Sequence, residues 1–108
     1  MYERYYVAVD FDGTLVEHKY PAIGEIKRST IEKLLKKNDE VNKRGQELVV
    51  ILWTCRNGET LNAAREWCIM NMPITILPKY YNENPEVPMD SRKIFANEYW
   101  DDRAITIM

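Results

Sequence analysis

The sequence has no long hydrophobic run and no excess of charge of either sign. Its longest clean apolar stretch, residues 48–53, is far too short to span a bilayer. Fifteen Lys and Arg stand against seventeen Asp and Glu, a formal net charge of −2. That balance gives no global attraction to nucleic acid or to an anionic membrane. The opening MYERYYVAVDF lacks a basic segment followed by an apolar core, so no secretory signal is expected. Two cysteines, Cys55 and Cys68, make neither a disulfide framework nor a zinc site. They read as reduced thiols of a cytoplasmic protein. Histidine occurs once, at His18, and there is no internal repeat or low-complexity segment. With 108 residues, the expectation is one domain over 1–108 with a core that needs no staples.

What is present is an alternation of buried strands and amphipathic helices. Residues 5–10 read as a buried strand, and 13–24 as a turn and loop punctuated by Pro21 and Gly24. Ser29 with Glu32 three residues later fits a capping box. Ile31, Leu34, Leu35 and Val41 then mark one helical face, and Gly45 stands where that helix should stop. Residues 47–53 are apolar on both faces, as an interior parallel strand requires. A second helix over 59–71 is closed by Pro73, and short strands are expected at 74–77, 96–100 and 104–107. Strand and helix in alternation predict an α/β fold, a three-layer αβα sandwich on a Rossmann-like, mostly parallel five-stranded sheet.

In such sheets ligands bind beyond the carboxyl ends of the strands. Asp10 and Asp12 follow the first strand, two apart and in phase, with Phe11 turned the other way to pack. Gly13 allows the chain to turn sharply after them. Thr54 follows the second strand in a loop that opens a helix, where backbone N–H groups favour an anion. Asp101 and Asp102 follow the fourth, with Lys93 a few residues before it. Four carboxylates at one sheet edge repel one another unless a hard divalent cation neutralises them. Mg²⁺ takes one or two carboxylates and leaves its other positions to water and a substrate phosphate.

Asp10-Phe11-Asp12-Gly13-Thr14 resembles the first motif of the haloacid-dehalogenase-like (HAD) superfamily. The VVILW strand with Thr54 resembles its second motif, Lys93 its third, and Tyr99-Trp100-Asp101-Asp102 the double-acid form of its fourth. The stretches TCRNG and SRKIFANEYWDDR are similar to a group of small HAD proteins, so the resemblance spans essentially the whole chain. It implies a HAD-like core and a Mg²⁺-dependent phosphatase, a phosphomonoester hydrolase. Asp10 would be the nucleophile that forms an aspartyl-phosphate. Asp12 would be the acid and base, and its main-chain carbonyl would reach the metal. Thr54 would hydrogen-bond the phosphoryl oxygens, and Lys93 would stabilise charge. Asp10, Asp12, Asp101 and Asp102 make up the implied metal set. An acid at position 12 is what separates phosphatases and phosphotransferases from the dehalogenases of the family.

Only about a dozen residues separate Gly13 from the first helix, and the stretch 77–92 has sixteen. Neither stretch holds a cap domain, so the expectation is a capless member with a short hairpin flap. Cys55, Arg56, Tyr80 and Tyr81 are candidates for substrate contact, the tyrosines as a stacking wall. A cysteine phosphatase is excluded, since its arginine would fall at Leu61. An open site suits a small phosphorylated substrate, including a nucleotide or a nucleic-acid end. Asp101-Asp102-Arg103 is similar to the fourth motif of end-healing phosphatase domains. Family members usually continue beyond the fifth strand, so an uncovered sheet edge makes an oligomer an open expectation. The alternatives are a non-catalytic HAD-like domain that binds a metal or a partner, and a response-regulator receiver, against which Pro78-Lys79 stands where the receiver's phosphorylated Asp would follow the third strand.

Overall fold

The first strand, β1 (Glu3–Val9), alternates side chains so evenly that both of its faces become core. Val7 and Val9 point one way, Tyr6 and Ala8 the other, and all four are buried. The computed structural model describes residues 3–83 and 95–102, and the backbone of 105–107. Helix α1 (Arg28–Lys43) leads into β2 (Gln46–Leu52), and helix α2 (Gly58–Asn71) into β3 (Tyr80–Tyr81). Two short strands follow, β4 (Glu98–Trp100) and β5 (Ile105–Ile107). They form one five-stranded sheet in the order β3-β2-β1-β4-β5. The β1–β2, β1–β4 and β2–β3 pairs are parallel, and β4–β5 is antiparallel.

This is a Rossmann-like α/β fold. Its order of five strands matches the first five of the 3-2-1-4-5-6 doubly wound sheet, not the 2-1-3-4-5 order of receiver domains. The receiver reading is therefore set aside. One sheet face packs Val7, Val9, Val50 and Leu52 against Leu34 and Val41 of α1 and Ala64 and Cys68 of α2. The opposite face is also closed to water, with Tyr6, Ala8, Val49, Ile51 and Ala96 forming a second cluster. A sheet covered on both sides explains why β2 reads as a continuous apolar run. Burial pushes the Cys68 thiol up to about 12, so it is an inert core residue. Among the described residues no helix is long and apolar enough to cross a membrane.

Two local expectations fail. Residues 74–77 do not form a strand; Ile74–Ile76 is a 3₁₀ turn. Pro73 and Pro78 bracket it, and neither has an N–H for a ladder. Pairing to β2 begins only past Pro78, where Lys79 N–H donates to Val50 O at 2.9 Å, and the third strand is Tyr80–Tyr81. The capping box at Ser29 is also absent. Lys27 is the N-cap of α1 and makes no side-chain cap bond. Its backbone N–H instead donates to Leu15 O at 2.8 Å, so a tertiary contact fixes where α1 starts.

Strand β4 carries a buried carboxylate. Glu98 is 1% exposed and accepts from Tyr5 Oη, from Trp100 Nε1 at 2.9 Å and from the Lys37 ammonium at 2.9 Å. Burial pushes its carboxyl up, but the bonds from Tyr5, Trp100 and Lys37 outweigh this and hold it below its ordinary range. Just before it, Asn97 extends the ladder with its side chain: Tyr6 N–H donates to Asn97 Oδ1 at 2.8 Å. These contacts let a strand with polar residues at 97 and 98 lie in the sheet interior.

A carboxyl depressed in the folded state stabilises the fold above its unfolded pKa and loses that contribution as pH falls through its folded one. Glu98→Gln should cost about 2 kcal/mol at neutral pH. Urea unfolding between pH 7 and pH 3 should show a smaller acid loss in the variant than in the wild type. Parallel acid limbs would contradict this account of Glu98.

Candidate active site

The carboxyl ends of β1, β2 and β4 lie side by side, because β1 sits between the other two. Val9 is level with Leu52 on one side and with Trp100 on the other. The residues that follow each strand, Asp10, Trp53-Thr54 and Asp101-Asp102, therefore emerge together. Asp10 N–H donates to Trp100 O at 2.9 Å, and Trp53 N–H to Val9 O at 2.9 Å, which carries both ladders up to the site.

Asp10 is partly buried, and its Oδ1 accepts from Phe11 N–H at 2.8 Å. Its carboxyl is raised above the ordinary range by burial first. Repulsion from Asp12, Asp102 and Asp101 adds to the rise, against the lowering bond from Phe11. Asp102 sits against the bare Cα of Gly13: a Cβ built there would lie 3.1 Å from Asp102 Cβ. Gly13 also has φ +87°, so it is required both for its conformation and for the approach of Asp102.

Asp12 has a different environment. The Arg56 guanidinium grips both its oxygens, Nε to Oδ2 and NH2 to Oδ1, each at 2.8 Å. Arg56 is 1% exposed, and its other donors reach Pro21 O, Thr60 O and Ala22 O at 3.2, 3.3 and 2.9 Å. All five guanidinium N–H groups are thus matched by acceptors. The plane also lies between Phe11 and Tyr20, with ring centroids 5.1 and 5.0 Å from its carbon. The expectation that Arg56 contacts substrate is corrected: it is a buried tie between the first-motif turn, the flap and α2.

The flap occupies residues 14–27. Val16 and Ile26 make an antiparallel bridge, and Glu17 N–H donates to Glu25 O at 2.8 Å. Gly24 closes it, since a Cβ there would fall 2.1 Å from Glu17 O. At its base Lys27 Nζ donates to Gly13 O at 2.9 Å, and Thr30 Oγ1 to Thr14 O at 2.6 Å. The flap is the short hairpin that the sequence predicts.

Across the site, Asn82 organises the loop after β2. Its Oδ1 accepts from Thr54 N–H at 2.8 Å, and its Nδ2 donates to Arg56 O at 3.0 Å. Asn82 adopts φ +54°, a left-handed conformation that Asn tolerates better than most residues. The Thr54 amide is thereby used within the protein. Thr54 Oγ1 accepts from Arg56 N–H at 3.2 Å, so its hydroxyl proton can still be given to a phosphoryl oxygen.

Two clefts meet at Asp10. One, of about 420 Å³, is lined by Asp10, Asp12, His18, Thr54, Cys55 and Asp102, with Tyr20 and Arg56 in its wall. The other, of about 530 Å³, runs along the sheet face away from the helices, past Trp53, Asn82, Tyr99 and Asp101. The structure thus brings together Asp10, Asp12, Thr54, Cys55, Asp101 and Asp102. Lys93 lies outside the described residues.

Tyr80 and Tyr81 line neither cleft. Tyr80 packs on the second core cluster. Tyr81 packs on the first and carries the Arg65 guanidinium 5.2 Å from its ring. Their place as a substrate wall is corrected, because β3 pairing fixes them to the sheet edge. Among the described residues the aromatics that do line the clefts are Trp53, Tyr99, Trp100 and Tyr20. Strand parity points to the first two: Trp53 is in phase with Ile51, and Tyr99 is paired with Ala8.

Among the described residues no three acidic, histidine or cysteine side chains converge as a metal cage. With Asp12 turned to Arg56, the four-carboxylate set expected from sequence reduces to Asp10 and the acids after β4.

No family model matches the chain, and no curated protein matches it. A solved structure, described as that of the conserved protein coded by locus from Bacteroides thetaiotaomicron, is 40% identical to it. The match covers 92% of this chain and 76% of that one, with a TM-score of 0.67.

The Arg56 pairing carries a direct expectation. Arg56→Lys keeps the charge but cannot serve five acceptors, and should lower stability by about 3 kcal/mol in urea unfolding. A loss below about 1 kcal/mol would show that the tie is dispensable.

Proposed function

The chain belongs to the family of that conserved Bacteroides thetaiotaomicron protein, and from the strand-end site we propose that it is a HAD-type, Mg²⁺-dependent phosphomonoester hydrolase. The observation that carries this reading is Asp10: a partly buried carboxylate, raised by burial and by three neighbouring acids, at the open ends of parallel strands. A nucleophile needs access and correct placement, and Asp10 is the one residue common to both clefts and to the acidic cluster.

The residues present fit a magnesium ion. Asp10, Asp102 and the Asp12 main-chain carbonyl are hard oxygen donors of the type it takes. Asp102 rather than Asp101 is the direct carboxylate under this reading, since it shares the Asp10–Asp12 cleft. When bound, the ion supplies positive charge that offsets the repulsion around Asp10 and the charge of a phosphoryl group.

Under the same reading an Asp10 oxygen forms a bond to phosphorus as the ester P–O bond breaks. The leaving alcohol takes a proton, and water then cleaves the aspartyl-phosphate to inorganic phosphate and regenerates Asp10. The Thr54 hydroxyl donates to a phosphoryl oxygen. For Asp12 to deliver and recover the proton, one of its oxygens must leave Arg56.

That requirement favours a second reading, a HAD-like domain that binds a ligand or partner without chemistry. The Asp12 side chain already has a structural role in its bidentate pair, so its presence alone does not demand catalysis. Turnover decides between the two.

A panel of phosphate monoesters, assayed with and without Mg²⁺, should show hydrolysis that needs the ion and disappears in Asp10→Asn. No turnover of any ester by the wild type would favour the binding domain. Stability gives an independent readout. A raised carboxyl pKa means that ionising Asp10 costs the fold stability as pH rises, fully so above its folded pKa. Asp10→Asn should therefore melt higher than the wild type at pH 7, with the gap closing as pH falls below the carboxylate range. Mg²⁺ should raise the wild-type Tm more than that of the variant.

A further inference from the structure

The second cleft has a shape that phosphoryl transfer by itself does not require. In register, Ala8 on β1 lies opposite Tyr99 on β4, and Trp53 continues β2 beside Asp10. Side chains two apart on a strand share a face, so Ala8, Asp10, Trp53 and Tyr99 all stand on the sheet face away from the helices. Trp53 and Tyr99 pack against the core cluster of that face, and both line the cleft of about 530 Å³. On β1, between β2 and β4, Ala8 presents a methyl group.

Walls that rise from β2 and β4 are two strand spacings apart, roughly 9–10 Å between backbones. A planar ring held between two aromatic faces needs about 7 Å from one wall to the other. The cleft thus places aromatic side chains on either side of β1 and reaches Asp10, a slot whose lining suits a flat ring. Thr54 and Asn82 supply polar groups at its mouth.

We propose that this slot holds a planar aromatic group carried by the phosphate ester, so that the preferred substrates are aromatic phosphomonoesters. The inference rests on the reading of Asp10 as the group that takes the phosphoryl. Nucleoside 5′-monophosphates and phenolic phosphates share the ring chemistry; one presents it beyond a ribose, the other directly at the ester oxygen.

The test compares kcat/KM for adenosine 5′-monophosphate, phenyl phosphate and glycerol phosphate in the wild type, Trp53→Leu and Tyr99→Leu. At least one ring-bearing ester should exceed glycerol phosphate in the wild type, and which one identifies the source. In each variant that ratio should fall about tenfold, the scale of one lost aromatic stack. Ratios within twofold of the wild type in both variants would overturn the slot and leave the phosphatase reading standing. If no ester is turned over, the phosphatase reading fails, and calorimetric titration with adenosine and 4-nitrophenol decides the slot. Binding that weakens about tenfold in Trp53→Leu supports it, and no binding to the wild type overturns it.

Discussion

The geometry of the site depends on the buried pair between Arg56 and Asp12. One guanidinium joins three segments far apart in sequence: the turn after β1, the flap at residues 20–22, and the first turn of α2. Isolated, either charge would be costly at this depth. Together, with three carbonyls and two aromatic faces around the guanidinium, every donor is used and the arrangement has little freedom. Because Arg56 is also held through its backbone by Thr54 and Asn82, the loop after β2 and the residue after β3 are set by the same anchor.

The strand order makes this anchor useful. With β1 between β2 and β4, residues from positions 10, 54 and 102 reach one place without any insertion. Close approach then needs small groups at a few points. Gly13 lets Asp102 come against the turn, and Gly24 lets the flap fold back on Glu17. Side-chain amides complete what the backbone leaves open: Asn97 extends β1–β4 pairing at its start, and Asn82 fixes the loop at the end of β2.

Much of this was legible in the sequence, and the failures share a cause. Alternation and apolar runs located β1, α1, β2 and α2 to within a residue or two, because burial on both sheet faces leaves a strong pattern. The acids at 10, 12, 101 and 102 were found by their position after strands. What could not be read was set by contacts between distant segments. Ser29 looks like a cap, but Lys27 is pinned to Leu15 and starts the helix earlier. Ile74–Leu77 has strand composition, but two prolines move the pairing on to Tyr80–Tyr81. Arg56 sits in a loop of polar residues and reads as a surface group; only its three-dimensional acceptors reveal a core residue. Tyr80 and Tyr81 stand out as neighbouring aromatics, whereas Trp53 and Tyr99, separated by 46 positions, share one sheet face on either side of β1.

The two acids of the first motif are in phase on the same strand end, yet the structure divides them. Asp12 is neutralised by a fixed cation, so its charge is balanced whether or not anything binds. Among the described residues Asp10 accepts from one backbone donor, and burial and the neighbouring acids raise its carboxyl above the ordinary range. Environment alone assigns opposite tasks to a pair of identical side chains. One stabilises the scaffold in every state. The other carries an electrostatic cost that comes from burial and from the acids around it. Had Arg56 been placed beside Asp10 instead, the Asp10 oxygens would be tied up in hydrogen bonds. The buried arginine therefore shapes the site by where it is withheld: it balances Asp12 and leaves the Asp10 carboxylate facing the clefts.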